Sequence, residues 1–143
     1  MSATKPDTPI DAQADVPTLT ARTAAPIVQD PVGFARAFYA RLFERAPALR
    51  TLFPTDLSAQ ELKLSHTLYM LVASQEKGEA VGPALRELGR RHVGYGARPQ
   101  HYRLVGEVLL ETLEERNGAD WSEAAAEAWR TLYAFVIRHM EPE

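Results

Sequence analysis

Residues 88–96, LGRRHVGYG, place one histidine at the end of an apolar helical stripe. Leu88 and Leu85 lie four and seven residues before His92, so the three side chains share one face of a helix. An imidazole in that position has two interpretations. It bonds to a backbone carbonyl inside the core, or it holds a group that is not protein. A hydrogen bond to a backbone carbonyl is the more common role of a lone histidine. The choice between the two interpretations therefore depends on the elements around His92.

Composition narrows the function classes. The chain has 143 residues, 45% of them hydrophobic, which fits one globular domain with a sizeable core. A formal net charge of −3 argues against nucleic acid as a partner. With no cysteine, the sequence excludes a disulfide scaffold, thiolate metal ligands and thiol catalysis. No apolar run is long enough to cross a membrane, so no membrane association is expected.

The first 16 residues differ from the rest of the chain. They are rich in Pro, Asp, Thr and Ala, and they show no apolar period. They also lack the apolar middle of a secretory signal, so we expect a cytoplasmic protein. The sequence therefore predicts a disordered tail over residues 1–16 and a single domain over residues 17–143.

Caps and prolines divide that domain into helices. The predicted helix starts are Pro17, Asp30-Pro31, Ser58, Gly82-Pro83, Arg98-Pro99 and Asp120, with Pro26 interrupting the first helix and a short helical turn between Pro47 and Pro54. The stripe Ala125, Trp129, Leu132, Val136 and Met140 marks the last helix as a core element. No segment alternates as a strand does, so the fold class is all-α with roughly six or seven helices.

The order of these elements resembles a globin. The details are most similar to bacterial single-domain globins of the flavohaemoglobin type, with neuroglobin a more distant likeness. The matching pieces are FYARLF, the LFP that follows it, LGRRH, and HYRLVGEVLL shortly beyond the histidine. The resemblance covers roughly Leu19 to Met140 and implies a globin fold that sandwiches a haem.

The resemblance implies haem b as cofactor and His92 as its proximal iron ligand. Haem is a flat, largely apolar disc, and neutral imidazole is the axial ligand that globins supply. With the globin pattern around it, the ligand interpretation of His92 is preferred. His101 and His139 are expected at the rim or the surface. His66 should face away from the pocket, although it and Tyr39, as a phenolate, are the two candidates for a second axial ligand.

The resemblance also assigns the remaining site residues. Tyr39 and Gln60 match the distal pair that donates hydrogen bonds to a bound ligand, and Tyr102 matches a proximal tyrosine that joins the histidine and a glutamate. That glutamate has only Glu141 and Glu143 as candidates. The residues expected around the haem are Phe43, Phe53, Lys63, Leu64, Leu68, Leu88 and Val105.

These assignments imply a globin that reversibly binds oxygen, nitric oxide and carbon monoxide. Nitric oxide dioxygenase or peroxidase-like activity would need electrons, and the sequence has no Gly-rich dinucleotide fingerprint. We therefore expect a separate reductase to serve such activity. The alternative function is a gas or redox sensor, or a stress-signalling module, that acts through a partner protein.

Overall fold

The structure, a computed structural model, describes residues 14–77 and 81–140. Its seven α-helices are α1 (Val16–Thr23), α2 (Ala25–Gln29), α3 (Pro31–Arg45), α4 (Ser58–Lys77), α5 (Gly82–Gly94), α6 (Pro99–Asn117) and α7 (Glu123–Met140). Short 3-10 turns occupy Pro47–Leu52 and Gly118–Asp120. The described ranges contain no β-strand, which confirms the all-α prediction. None of the helices described is long and apolar enough to cross a membrane.

Prolines and short polar side chains open the first three helices. Asp15 caps α1, because its carboxylate accepts a 3.0 Å hydrogen bond from the backbone N–H of Thr18. The helix thus begins at Val16, one residue before the expected start. Pro26 sits in the first turn of α2, where its missing N–H costs no helical hydrogen bond. Of the tail predicted over residues 1–16, residues 1–13 lie outside the described residues, whereas Asp15 caps α1 and Val16 is the first helical residue.

The start of α7 differs from the sequence prediction. Asp120 was expected to cap this helix, but it belongs to the 3-10 turn before it. Trp121 then takes an extended conformation, which separates Asp120 from the first helical turn. Ser122 is the cap instead, since its hydroxyl accepts a 3.1 Å hydrogen bond from the N–H of Ala125.

A buried hydrogen bond ties the last helix to the first. On α7 the fully buried Trp129 donates its indole N–H to the hydroxyl of Thr23 on α1, at 2.8 Å. Thr23 in turn donates to the carbonyl of Leu19 at 2.7 Å. These bonds satisfy polar groups that would otherwise be buried without partners. Helix α1 is therefore fixed against α7.

Helices α3 and α6 are joined at the surface by arginine–glutamate pairs. Arg45 contacts Glu107 and Glu111, each at 2.8 Å, and Arg41 contacts Glu115 at 2.9 Å. Beneath these pairs, buried apolar residues of the two helices join the main core. The pairs neutralise the two arginines, although surface pairs of this kind contribute little to stability.

Helices α5 and α7 cross closely at a glycine. A Cβ atom at Gly89 would overlap the backbone carbonyl of Met140. Gly89 is buried, so neither helix can move aside without disturbing the core. This close approach holds the helix that carries His92 against α7.

We predict that Gly89→Ala lowers the free energy of unfolding by about 1–3 kcal/mol, the usual cost of overpacking. Gly94→Ala is the matched control, because a Cβ there meets nothing within 4 Å. Urea unfolding of both variants measures the difference. Equal stability of the two variants would contradict the close crossing.

Candidate haem site

A largely apolar cavity lies among α3, α4, α5, α6 and α7. It encloses about 1250 Å3 of space that protein atoms do not fill, counting its open mouth. Every residue that the sequence placed at the site lines this cavity, except Phe43. Those lining residues are Tyr39, Phe53, Gln60, Lys63, Leu64, Leu68, Leu88, His92, Tyr102 and Val105. These ten residues come from four helices and the segment after the first 3-10 turn, and they meet around one space.

His92 has a fixed hydrogen-bond partner. Its Nδ1 lies 2.8 Å from the backbone carbonyl oxygen of Leu88, one helical turn earlier. A carbonyl oxygen only accepts, so Nδ1 carries the proton and Nε2 of the neutral ring carries the lone pair. The two interpretations of this histidine are thus compatible, because the backbone bond leaves Nε2 available to a ligand. Leu88 lines the cavity beside it, whereas Leu85 is buried in the core and does not.

Tyr39 and Gln60 form a polar pair in the cavity wall. The side-chain amide of Gln60 on α4 donates to the hydroxyl of Tyr39 on α3, at 3.2 Å. The hydroxyl oxygen is the acceptor in this bond, so the phenol proton remains free to bond with another group. The pair therefore offers one hydrogen-bond donor to whatever occupies the cavity.

Burial raises the pKa of Tyr39 above its ordinary value near 10. The hydrogen bond from Gln60 opposes this shift, and the negative charge of Glu61 adds to it. Glu61 is itself nearly buried and lies 3.4 Å from the guanidinium of Arg36. Because the pKa of Tyr39 is raised, its hydroxyl stays protonated, and so remains a donor, throughout the physiological pH range.

Aromatic rings hold the Tyr39 side chain in place. Phe38 and Phe53 meet its ring edge to face, with centroids 5.1 Å and 5.4 Å away. Phe43 stacks on the same ring at 5.8 Å, and it does not line the cavity. Phe43 thus lies behind Tyr39, and its expected contact with a cofactor stays a prediction. Lying one turn beyond Tyr39, Phe43 packs against the tyrosine and Phe53.

Arg50 positions Phe53 and was missed by the sequence analysis. Its guanidinium donates to the carbonyls of Pro54 and Thr55, both at 2.9 Å, and lies over the ring of Phe43 at 5.3 Å. Through these hydrogen bonds, the segment that follows the 3-10 turn wraps around the guanidinium of Arg50. Nothing in the sequence signals them, because an arginine in a short helical turn is usually solvated.

The other candidate residues have varied positions. The ring of Tyr102, which is buried, lies 6.5 Å from that of His92, and its carbonyl accepts a hydrogen bond from the hydroxyl of Tyr133. His101 lines the cavity, with Nδ1 accepting from the N–H of Arg98 at 3.0 Å. His66 is exposed and lines a surface groove instead. Glu141 and Glu143 lie outside the described residues.

Helix α7 contributes more of the cavity wall than the sequence indicated. Its apolar stripe was predicted as ordinary core, yet several of its members face the cavity. The lining residues that the sequence analysis did not assign to the site include Leu42, Leu49, Thr67, Leu71, Ala97, Leu132, Tyr133, Val136, Ile137 and Met140. Helical periodicity identifies such residues as inward-facing, but it cannot tell a filled core from a cavity.

This arrangement fits a haem. The group needs an apolar space between helices and one neutral imidazole with a free nitrogen, and the cavity supplies both. A protonated tyrosine and a glutamine amide lie in the same wall, where they can meet a small polar ligand. The all-α fold and the residues of this cavity together fit a haem protein.

The comparisons with known proteins identify the family. The globin family model matches residues 36–140, so the chain belongs to the globin family. Neuroglobin of Danio rerio is 34% identical over 116 residues, which cover 71% of this chain and 73% of that protein. A flavohemoprotein of Rhizobium meliloti is 28% identical over 127 residues, which cover 85% of this chain. The chain spans only 32% of the length of that flavohemoprotein.

Solved structures show the same fold. An engineered carbene transferase from Rhodothermus marinus, named as a candidate nitric oxide dioxygenase, has a TM-score of 0.77 and 27% sequence identity. The match covers 88% of each chain. A bacterial globin from Campylobacter jejuni has a TM-score of 0.72 at 19% identity, which supports the fold alone.

Proposed function

We propose that this globin binds haem b through Nε2 of His92 and reversibly holds oxygen, nitric oxide or carbon monoxide beside Tyr39. The hydrogen bond from Nδ1 of His92 to the carbonyl of Leu88 is the observation that carries the proposal. It fixes both the orientation and the tautomer of the ring, as a partner of a metal-binding histidine should.

Bound haem would supply an iron atom with one coordination position open to a diatomic gas. The side chains that line the cavity would surround that coordination position. Apolar residues such as Leu64, Leu68 and Val105 line the cavity, and they would limit the water beside a bound ligand. Exclusion of water strengthens any hydrogen bond made inside the cavity.

Tyr39 is proposed to donate its hydroxyl proton to the gas. The amide of Gln60 donates a hydrogen bond to the oxygen of that hydroxyl. The hydroxyl proton therefore points away from the amide. A donor stabilises a ligand that accumulates negative charge, as oxygen does, more than a less polar one such as carbon monoxide. The pair should therefore slow the release of oxygen selectively.

Nitric oxide turnover is a second candidate function. It is supported by the likeness to the Rhodothermus protein that is named as a candidate nitric oxide dioxygenase. Such turnover consumes electrons, and we propose a separate reductase as their source.

We predict that His92→Ala loses haem, because His101, the other histidine in the cavity lining, accepts the N–H of Arg98 at Nδ1 and so carries its own proton on Nε2. The loss of affinity should exceed the roughly 10–100-fold that removal of an outer-shell partner costs. Absorption spectra of the haem-loaded variant, with and without added imidazole, measure the effect, and imidazole should restore binding. His66→Ala is the control, since His66 is exposed outside the cavity. An unchanged spectrum in His92→Ala would refute the proposed ligand.

We predict that Tyr39→Phe speeds the dissociation of oxygen about two- to tenfold, which corresponds to one lost hydrogen bond. Stopped-flow displacement of oxygen by carbon monoxide measures the rate. The exposed Tyr69 provides a control variant, Tyr69→Phe, that should behave as the wild type. If carbon monoxide release changed as much as oxygen release, the cause would be steric and the donor role would be wrong.

A further inference from the structure

Charge is unevenly distributed along the second half of the chain. Residues 82–103 contain five arginines and a single acidic residue, Glu87. Residues 104–127 contain seven acidic residues and a single basic one, Arg116. Helix α6 places several of those acids against Arg41 and Arg45 of α3. Within residues 14–77 and 81–140, Glu87 is the only acidic residue that forms an ion pair with the arginines of α5 and the connection after it.

The connection between α5 and α6 forms an exposed surface, which we call the corner surface. It consists of Leu52, Arg91, Val93, Tyr95 and Arg98. Its three apolar side chains are unusually exposed, at 40% for Leu52, 49% for Val93 and 63% for Tyr95. The 3-10 turn and the corner are neighbours, because the side chain of Leu52 lies 3.3 Å from the position of a Cβ on Gly96.

The corner surface carries a net positive charge. The carboxylate of Glu87 is shared by two arginines, because it contacts Arg90 and lies 3.8 Å from the guanidinium of Arg91. One negative charge therefore faces two positive charges. Arg98 is exposed and forms no ion pair with any residue in the described ranges. Exposed apolar side chains with a charged rim are the usual composition of a protein interface.

The corner surface also borders the cavity. Leu52, Ala97 and His92 line the cavity, and the ring of His92 lies 6.2 Å from that of Tyr95. A protein docked here would lie beside the proximal histidine and close to any group that it holds. A small, transient interface would suffice, as is common for electron carriers.

We propose that the corner surface is a docking site for a small acidic protein of the electron-carrier class. The proposal rests on the proposed haem function, because that function gives a carrier its reason to dock beside His92. Charge complementarity supports it: the corner is basic, whereas the whole chain has a net charge of −3 that would repel an acidic partner elsewhere. An anionic membrane is a different partner, and its binding is one of the outcomes that the test distinguishes.

The test uses the haem-loaded full chain and a dye-labelled acidic [2Fe–2S] ferredoxin of the plant type as probe. Fluorescence anisotropy measures the Kd at ionic strengths of about 0.01 M and 0.15 M, between which the Debye length falls from about 30 Å to 8 Å. We expect the Kd to rise about tenfold or more with salt, because rim charges steer the encounter. Stopped-flow mixing should show slower association rather than faster dissociation.

Arg98→Glu should raise the Kd at low salt about three- to tenfold, chiefly through the association rate. Arg98 precedes α6, where a glutamate suits the helix N-terminus, so the fold should tolerate the change. Arg138→Glu is the control, because it changes the net charge equally at an exposed site on α7. Tyr95→Ser, which leaves the charge unaltered, should raise the Kd as well.

Three results would overturn the proposal: no binding at low salt, an equal effect of Arg138→Glu and Arg98→Glu, or binding of phosphatidylserine vesicles but not of ferredoxin. The absorption spectrum of each variant separates the two hypotheses. A wild-type chain that takes up no haem would refute the proposed function. An intact haem spectrum with unaltered ferredoxin binding in Arg98→Glu would refute only the docking site.

Discussion

The hydrogen bond between Nδ1 of His92 and the carbonyl of Leu88 determines what the cavity can hold. Without it the imidazole could rotate, or present either nitrogen. With it, Nε2 is left as the lone-pair nitrogen of a ring whose plane is fixed by its own helix. Gly89 allows that helix to lie against the carbonyl of Met140 on α7, so the position of the imidazole depends on a close helix crossing.

The hydroxyl of Tyr39 in the cavity wall has to meet two requirements at once. A buried hydroxyl needs a partner, yet a useful donor must keep its proton available. Gln60 resolves this conflict because it bonds to the oxygen and leaves the proton free. Burial raises the pKa of Tyr39, so the proton is retained. Arg50 fixes the segment that carries Phe53, whose ring holds the tyrosine from the side.

The sequence predicted features that depend on local chemistry. Proline and aspartate signals located most helix starts, and the apolar stripe before His92 identified the helix face on which the histidine lies. Features that depend on tertiary contacts were missed. The extended Trp121 moved the cap of α7 to Ser122, and the bonds of Arg50 join residues whose loop conformation no periodicity encodes. Phe43 was expected beside the cofactor from the resemblance; it stacks on Tyr39 outside the cavity lining, and its contact with a cofactor stays a prediction.

The most direct test of the central claim is a resonance Raman spectrum of the ferrous, haem-loaded chain grown with and without 15N-labelled histidine. The account predicts an iron–imidazole stretching band that moves to lower frequency with the label and persists in His66→Ala. It also predicts a neutral imidazole that donates from Nδ1, in keeping with the bond to Leu88. A ferrous form with no isotope-sensitive band, or one whose band disappears in His66→Ala, would contradict the assignment of His92.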